Sequence, residues 1–287
     1  MASRRTILTG ASAVLVLAAG LTVRAQLRDA PIPHAQGQSI TPSFEGWFQN
    51  ADGTFSMSFG YMNRNYKQVL DIPVGPNNRF DPGPADRGQP THFLPRRHTG
   101  LFTVTVPKDF GDKKLTWTIV ANGETVSIPG HLRPEWRIDA LKEITSGNTP
   151  PVVRFEPAGQ PGQGPGGTTS TMKVSVAQPA MLTVLVKDDM VRKRGQGGES
   201  QRKEPALGVV WSKYRGPGQV TFKELEPTLD EAGKATTTAT FPEPGEYTLR
   251  VLAWDTSGGP ARGIMAVGFQ CCWTNGYVNV SVGAPGK

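Results

Sequence analysis

The chain has 287 residues, 37% of them apolar, so it can bury one large core or two ordinary ones. Its 34 glycines and 25 prolines favour many short strands joined by turns over a helical fold. The net charge of +7 mixes both signs along the chain, which fits contact with glycans or lipid head groups better than nucleic-acid binding. An all-β protein that does not bind nucleic acid is therefore expected.

The first 25 residues are predicted to form an export signal. Two arginines precede an apolar run over residues 7–23, and Val23-Arg24-Ala25 matches a cleavage site, so cleavage is expected after Ala25. Cleavage removes Arg4, Arg5 and Arg24 and no acid, which lowers the net charge by three, from +7 to +4. The alternative is membrane association through an uncleaved 7–23 segment, which is at the lower length limit for crossing a bilayer.

An extended spacer is predicted over residues 26–42, which contain three prolines and no apolar period. An N-terminal β-sandwich is predicted over residues 43–147. Its strands are placed where apolar residues alternate or where a turn such as Asn122-Gly123 joins two apolar runs. They are expected at residues 44–49, 54–63, 101–106, 115–121 and 124–128.

The connection over residues 63–100 is unusually long for a compact domain, and such connections are more often functional or disordered than neutral. Its basic side chains are a candidate anion site, because arginine forks suit carboxylate or sulfate. The candidate residues are Arg64, Arg87, His92, Arg96, Arg97 and His98. The alternative, which we favour, is that Asn and Arg side chains of this loop satisfy its own backbone groups.

A second, Ig-like β-sandwich is predicted over residues 148–287, after the Pro150-Pro151 pair that marks the domain boundary. Tyr247 follows a turn and opens an alternating strand, which is typical of a tyrosine corner whose hydroxyl bonds a backbone group near the turn. The Gly-rich run over residues 160–167 is interpreted as a flexible loop. About eight strands are expected, at residues 152–155, 172–176, 181–187, 207–214, 220–224, 234–241, 247–255 and 277–282.

Cys271 and Cys272 are the only cysteines, and in an exported protein two thiols are expected to pair. A vicinal disulfide is one hypothesis; with Phe269, Trp273 and Asn275 it would form a rigid binding platform. The alternatives are two small buried core residues, or bridges to another chain or a soft metal. Two thiolates without a nearby histidine make a poor zinc site, so no metal is predicted.

Three segments carry a resemblance to known proteins: FGYMNRN (59–65), DRGQPTHFLPRR (86–97) and FQCCWTN (269–275). They resemble a family of exported bacterial proteins, which implies export and brings no activity, cofactor or ligand with it. The second half, from Thr149-Pro150-Pro151 to Leu249, is similar to Ig-like surface modules of the PKD, cadherin-like and fibronectin type III kinds. Those modules imply binding or spacing roles, and the chain lacks the paired aspartates of calcium-binding cadherin repeats.

The sequence contains no nucleophile elbow, zinc-protease motif or phosphate loop, so we expect no enzyme and no cofactor. The favoured hypothesis is a non-catalytic scaffold or accessory subunit in the periplasm or at the cell surface, in contact with another exported or membrane protein. The second hypothesis is a module that binds a surface glycan or small ligand through Cys271, Cys272 and Trp273. An exposed apolar patch would favour the first, and a concave aromatic surface with polar groups the second.

Overall fold

The computed structural model describes residues 34–144, 147–189, 207–255 and 271–284, and these residues confirm the predicted all-β class. They contain sixteen strands and one short 3₁₀ turn, Pro134–Trp136. The predicted export signal and the first residues of the spacer lie outside the described ranges, as do residues 190–206 and 256–270. No helix in the described part of the chain is long and apolar enough to cross a membrane.

The first half is a sandwich of two three-stranded sheets. One sheet has the order β1-β2-β6 and the other β4-β7-β8. Side chains from both sheets share one core, in which the Phe59 ring meets the rings of Phe80, Phe102 and Trp117. The strands are β1 (Ile40–Gln49), β2 (Phe55–Asn63), the short pair β3 (Leu70–Asp71) and β5 (His92–Phe93), β4 (Asn78–Asp81), β6 (Arg96–Val106), β7 (Leu115–Ala121) and β8 (Glu124–Gly130).

The long 63–100 connection contains more strand than the sequence predicts. Strand β6 begins at Arg96 rather than at residue 101, because it continues to pair with β2 as far as Asn63. The ring of His98 stacks on Tyr61 at a centroid distance of 4.8 Å. His98 thus packs where the alternating pattern of a strand would lead one to expect an apolar residue. Polar residues therefore extend a strand that looks like loop in the sequence.

The second half has two four-stranded sheets, with the orders β13-β14-β11-β9 and β10-β16-β15-β12. Neighbouring strands are antiparallel except β10 and β16, which are parallel. The strands are β9 (Val152–Phe155), β10 (Thr168–Ser175), β11 (Ala180–Lys187), β12 (Leu207–Arg215), β13 (Thr221–Phe222), β14 (Lys234–Thr240), β15 (Gly245–Asp255) and β16 (Trp273–Gly283).

This arrangement is that of an Ig domain, as predicted. If β9 and then β11 to β16 are lettered A to G in chain order, one sheet contains D, E, B and A and the other C, F and G. Strand β10 is added beside G. Trp211 on strand C is fully buried in the core, in the place of the core tryptophan of Ig domains.

Tyr247 forms the predicted tyrosine corner. Its ring is buried, its hydroxyl donates to the carbonyl oxygen of Glu243 at 3.0 Å, and the same hydroxyl accepts from the amide of Gly218 at 3.2 Å. A Cβ atom at Gly216 would overlap the Tyr247 ring, so the turn after β12 has to pass close to it. The predicted hydrogen bond to a backbone group near the turn is confirmed.

Every ladder of these sheets joins strands of the same half. By residue contacts, however, Ala35–Lys287 groups as one compact unit, because the outer face of the β10-β16-β15-β12 sheet packs on the first half. The boundary at residue 148 as a division between independently folding domains stays a prediction.

Candidate functional site at the junction of the two sandwiches

Three alternate side chains of β16 point from the second half to the first. Trp273 Nε1 and Asn275 Nδ2 both donate to the carbonyl oxygen of Gly100, at 3.2 and 2.9 Å. The hydroxyl of Tyr277 donates to the carbonyl of Leu101 at 2.6 Å. Successive odd positions of a strand share one face, so this row places three donors against one short stretch of β6.

The carbonyl of Gly100 accepts two of the three hydrogen bonds from this row. Its φ of 55° lies in the left-handed region, and a Cβ atom there would overlap ring atoms of Trp273. Its amide donates to Glu45, whose other oxygen accepts from Arg97 at 2.9 Å. Burial raises the pKa of Glu45, although the Gly100 amide and Arg97 oppose this. Both backbone groups of Gly100 are therefore bonded to buried or partly buried side chains.

A buried arginine lies beneath this row. Arg250 is 2% exposed, and its Nε and Nη2 donate to Asn275 Oδ1 at 2.9 and 2.6 Å. Asn275 Nδ2 also donates to Pro165 O at 2.8 Å, so one amide connects β15, β16, β6 and the Gly-rich run. Burying a cation beside a neutral amide is costly, which makes the closeness of these partners essential.

Tyrosine rings enclose the guanidinium. Burial lowers the pKa of Arg250, and Tyr277, Tyr214 and Tyr61 oppose that shift. Burial in turn raises the pKa of Tyr277 to about 12 and that of Tyr214 well above its ordinary value. The rings of Tyr214 and Tyr277 meet edge to face at 5.3 Å. The cluster is therefore cationic and aromatic, with every tyrosine protonated at neutral pH.

Two ion pairs link the 63–100 connection to β12. Asp86 accepts from Arg215 at 3.0 and 2.7 Å, and Asp71 accepts from Lys213 at 3.3 Å and lies 2.8 Å from His92 Nδ1. The hydrogen bond from Arg215 lowers the pKa of Asp86. Burial raises the pKa of Asp71, but the contacts with His92 and Lys213 outweigh it and the net shift is downward.

The six basic residues predicted as an anion site have separate partners. Arg64 pairs with Glu124 at 3.7 Å, and Arg96 lies 4.9 Å from the centroid of the Tyr66 ring. Arg97 pairs with Glu45 on β1, and His92 pairs with Asp71 on β3. Arg87 Nη2 donates to the carbonyl of Pro82 at 3.4 Å, and His98 Nε2 lies 3.1 Å from the carbonyl oxygen of Pro95. Each basic side chain thus has its own partner, and a shared anion site over these residues stays a prediction.

The favoured alternative, in which Asn and Arg side chains of this loop satisfy its own backbone, is confirmed for its asparagines. Asn63 Nδ2 donates to the carbonyls of Gln68 and Phe93, and Asn78 Nδ2 to those of Ile72 and Pro90. Gln89 donates to the carbonyl of Ala85. All three side chains are fully buried, so their partners could not be replaced by solvent without opening the loop.

Cys271 and Cys272 are joined by a disulfide, as in the vicinal hypothesis. Both are also buried, as in the core alternative, with their sulfur atoms 3.9 and 3.7 Å from the carbonyl oxygen of Asn148. Trp273 is only 2% exposed. The predicted platform therefore lacks an exposed face at these three residues, and Phe269 lies outside the described residues. A ligand-binding role for this segment stays a prediction.

The Gly-rich run over 160–167 packs against β16 and does not match the interpretation as a flexible loop. Gly164 N donates to Thr274 Oγ1 at 2.9 Å, and its carbonyl accepts from Asn275 N at 3.2 Å. A Cβ atom at Gly167 would overlap the carbonyl of Asn275. These glycines allow close backbone approach, which composition alone does not distinguish from flexibility.

An open cleft borders the junction. Two adjoining cavities of ≈ 220 and ≈ 530 Å³ share Arg215, Thr248 and Asn279 as lining residues. Among the described residues, no group of three His, Cys, Asp or Glu side chains is placed to hold a metal ion. The lining of the cleft includes the hydroxyl of Thr248 and the amide of Asn279, which can form hydrogen bonds.

Sequence reasoning missed Gly100 and Arg250. The signal for Arg250 was present, because a charged residue interrupts the apolar run Leu249-Arg250-Val251-Leu252-Ala253. In a strand buried on one face such a residue is expected to point to solvent, and here the facing surface is another sandwich. For Gly100 no local signal exists, since its role depends on a tryptophan 173 positions away.

No protein-family model matches the sequence, and no curated protein matches it either. Solved structures give low similarity over most of the chain. The D0-D1 domain of intimin has 14% identity and a TM-score of 0.24, covering 85% of this chain and 98% of that one. Domains 4 and 5 of the S-layer protein SbsC have 12% identity and a TM-score of 0.23, covering 85% and 98%. The Yersinia pseudotuberculosis adhesin InvE has 13% identity and a TM-score of 0.26, covering 86% of this chain and 58% of its own. TM-scores this low support no inference about function, which therefore has to be argued from the residues of this chain.

Proposed function

We propose that this protein is a non-catalytic exported scaffold or accessory subunit, in the periplasm or at the cell surface, that contacts another exported or membrane protein. The observation that supports the proposal is that side chains of β16 bond the backbone of the first half instead of facing a ligand. Trp273, Asn275 and Tyr277 are bonded to the backbone of Gly100 and Leu101, so the most distinctive residues hold two sandwiches together. Such bonding suits a rigid unit that presents fixed surfaces.

One surface available to a partner is the outer face of the β13-β14-β11-β9 sheet, whereas the first half covers part of the outer face of the other sheet. Met181 on β11 is 69% exposed there, beside the threonine-rich face of β14. An exposed apolar side chain on a solvent-facing sheet surface is suited to protein contact. The absence of known catalytic motifs in the sequence supports a non-catalytic role.

Ligand binding through Cys271, Cys272 and Trp273 is the weaker alternative. Their side chains would have to leave the junction to reach a ligand, and that would break the bond from Trp273 to Gly100.

The test is cross-linking and affinity purification of the tagged protein from the envelope of its native cells. The wild type is expected to retain a reproducible protein partner, and Met181→Asp to lose it. Lys113→Asp, which changes an exposed residue of the first half, serves as the control and is expected to retain it. If the wild type retains no partner, or if Met181→Asp retains the same partner as the control, the proposal is wrong.

A further inference from the structure

The cleft beside the junction is a second surface with its own chemistry. Its floor is the outer face of β15 and β16 beyond the part covered by the first half, where Thr248 Oγ1 donates to Asn279 Oδ1 at 3.0 Å. One wall comes from the first half, through Thr103 and Thr91, and the other from the end of the Gly-rich run and the start of β10, through Pro165 and Thr169. The larger cavity, ≈ 530 Å³, lies within the range of roughly 300–1,000 Å³ usual for ligand sites.

The lining combines hydroxyl and amide groups with flat apolar surfaces. Threonine hydroxyls and the Asn279 amide donate and accept hydrogen bonds. Rings of Tyr277 and of three prolines provide faces for C–H groups; the prolines are Pro73, Pro165 and Pro217. A ligand matched to such a site carries many hydroxyls around a ring whose faces are apolar, which describes a sugar.

The basic residue at the rim is already paired with an acid. Arg215 uses Nη1 and Nη2 on Asp86 and Nε on the carbonyl of Gln89. Asp71 is held by His92 and Lys213, whereas Glu246, which accepts from Ser281 at 2.8 Å, adds a negative charge to the rim. An anionic ligand would have to displace one of these partners, so the cleft favours a neutral ligand over an acidic one.

We propose that the cleft between the two sandwiches, built on Thr248, Asn279 and Tyr277, binds a neutral oligosaccharide segment of a surface glycan. The two walls come from different halves, so the site exists only while the junction is closed. This proposal goes beyond the protein-contact function, because it uses another surface and another class of ligand.

The experiment uses the full chain and an array of neutral and acidic oligosaccharides, followed by calorimetric titration with the neutral oligosaccharide that binds best. Thr248→Phe fills the cleft and Asn279→Ala removes its amide; both positions are at least partly exposed, so the fold is expected to persist. The matched control is Thr183→Ala. Thr183 forms a similar cross-strand pair with Thr236, at 3.2 Å, on the outer face of the other sheet.

We expect the wild type and Thr183→Ala to bind a neutral oligosaccharide equally. Asn279→Ala should weaken binding about tenfold, and Thr248→Phe should weaken it more than that. Circular dichroism of each variant confirms that loss of binding is not loss of fold. The proposal is overturned if no oligosaccharide binds, if only acidic ones bind, or if the cleft variants bind as the control does. Partner capture by Met181 is measured separately, so failure here leaves the scaffold proposal intact.

Discussion

Gly100→Ala is the sharpest test of the junction. The added methyl group would overlap the Trp273 ring and disturb the hydrogen bonds from Trp273 and Asn275 to the carbonyl of Gly100. The backbone at 100 has φ of 55°, and an alanine held in that region costs about 1–2 kcal/mol. The added Cβ atom would also overlap the Trp273 ring and lie 3.0 Å from Nε1. Overpacking of a buried site typically costs about 1–3 kcal/mol.

Moving Trp273 to relieve that overlap would strain two hydrogen bonds to Gly100 O, those from Trp273 and Asn275, each worth about 1 kcal/mol. We therefore expect Gly100→Ala to lower the free energy of unfolding by about 3–5 kcal/mol. The measurement is urea unfolding followed by tryptophan fluorescence and circular dichroism.

Gly123→Ala is the matched control. Gly123 has φ of 80° in the β7–β8 turn, and a Cβ atom there meets nothing within 4 Å, so this variant carries the backbone cost alone. Gly100→Ala should exceed it by about 2 kcal/mol or more. A Trp273→Leu background should remove most of that excess, since the smaller side chain relieves the overlap. Equal costs for the two glycines would refute the packing described at Gly100.

Three further predictions follow from local geometry. Tyr247→Phe should lower the free energy of unfolding by about 1–3 kcal/mol in urea titration, because Gly218 N and Glu243 O lose their partner; an unchanged midpoint would contradict the corner. The folded pKa of Asp86 is lowered, so this carboxylate contributes stability that is fully present above its unfolded pKa of about 3.9 and is lost as pH falls through the folded pKa. The unfolding midpoint of Asp86→Asn should therefore decline less steeply than that of the wild type below about pH 4. Parallel pH curves for the two proteins would exclude this role. The unfolded protein kept without reductant should have no free thiol and a mass two hydrogens below the dithiol form, whereas thiols reacting with Ellman's reagent would exclude the disulfide.

The strands of the second half could be predicted because their signals are local. Period-two alternation and turn residues place strands within a few positions, and β9, β11 and β12 lie almost where the sequence indicates them. The tyrosine corner was predictable for the same reason, since the Tyr247 hydroxyl and Glu243 carbonyl that bond each other are four residues apart. The sequence contains no comparable local signal for the residues that pack against the outer faces of these strands.

The 63–100 connection shows the limit of a local pattern. Its Asn63, Asn78 and Gln89 side chains are buried only because distant carbonyls meet them, so a segment that looks polar and solvated is packed inside the molecule. Composition correctly indicated that the connection is unusual. It could not distinguish basic residues aimed at a ligand from basic residues each held by an acid or a ring.

The buried guanidinium of Arg250 links the stability of the junction to the geometry of the cleft. Between two sandwiches this cation is satisfied only when Asn275 and the tyrosine rings close around it, so arrangements that separate those partners leave a buried charge poorly bonded. The same arrangement sets the distance between the walls of the cleft, because Tyr277 belongs to both the cluster and the lining. A site built this way is preformed, and a ligand entering it would not have to provide the free energy of bringing the two halves together.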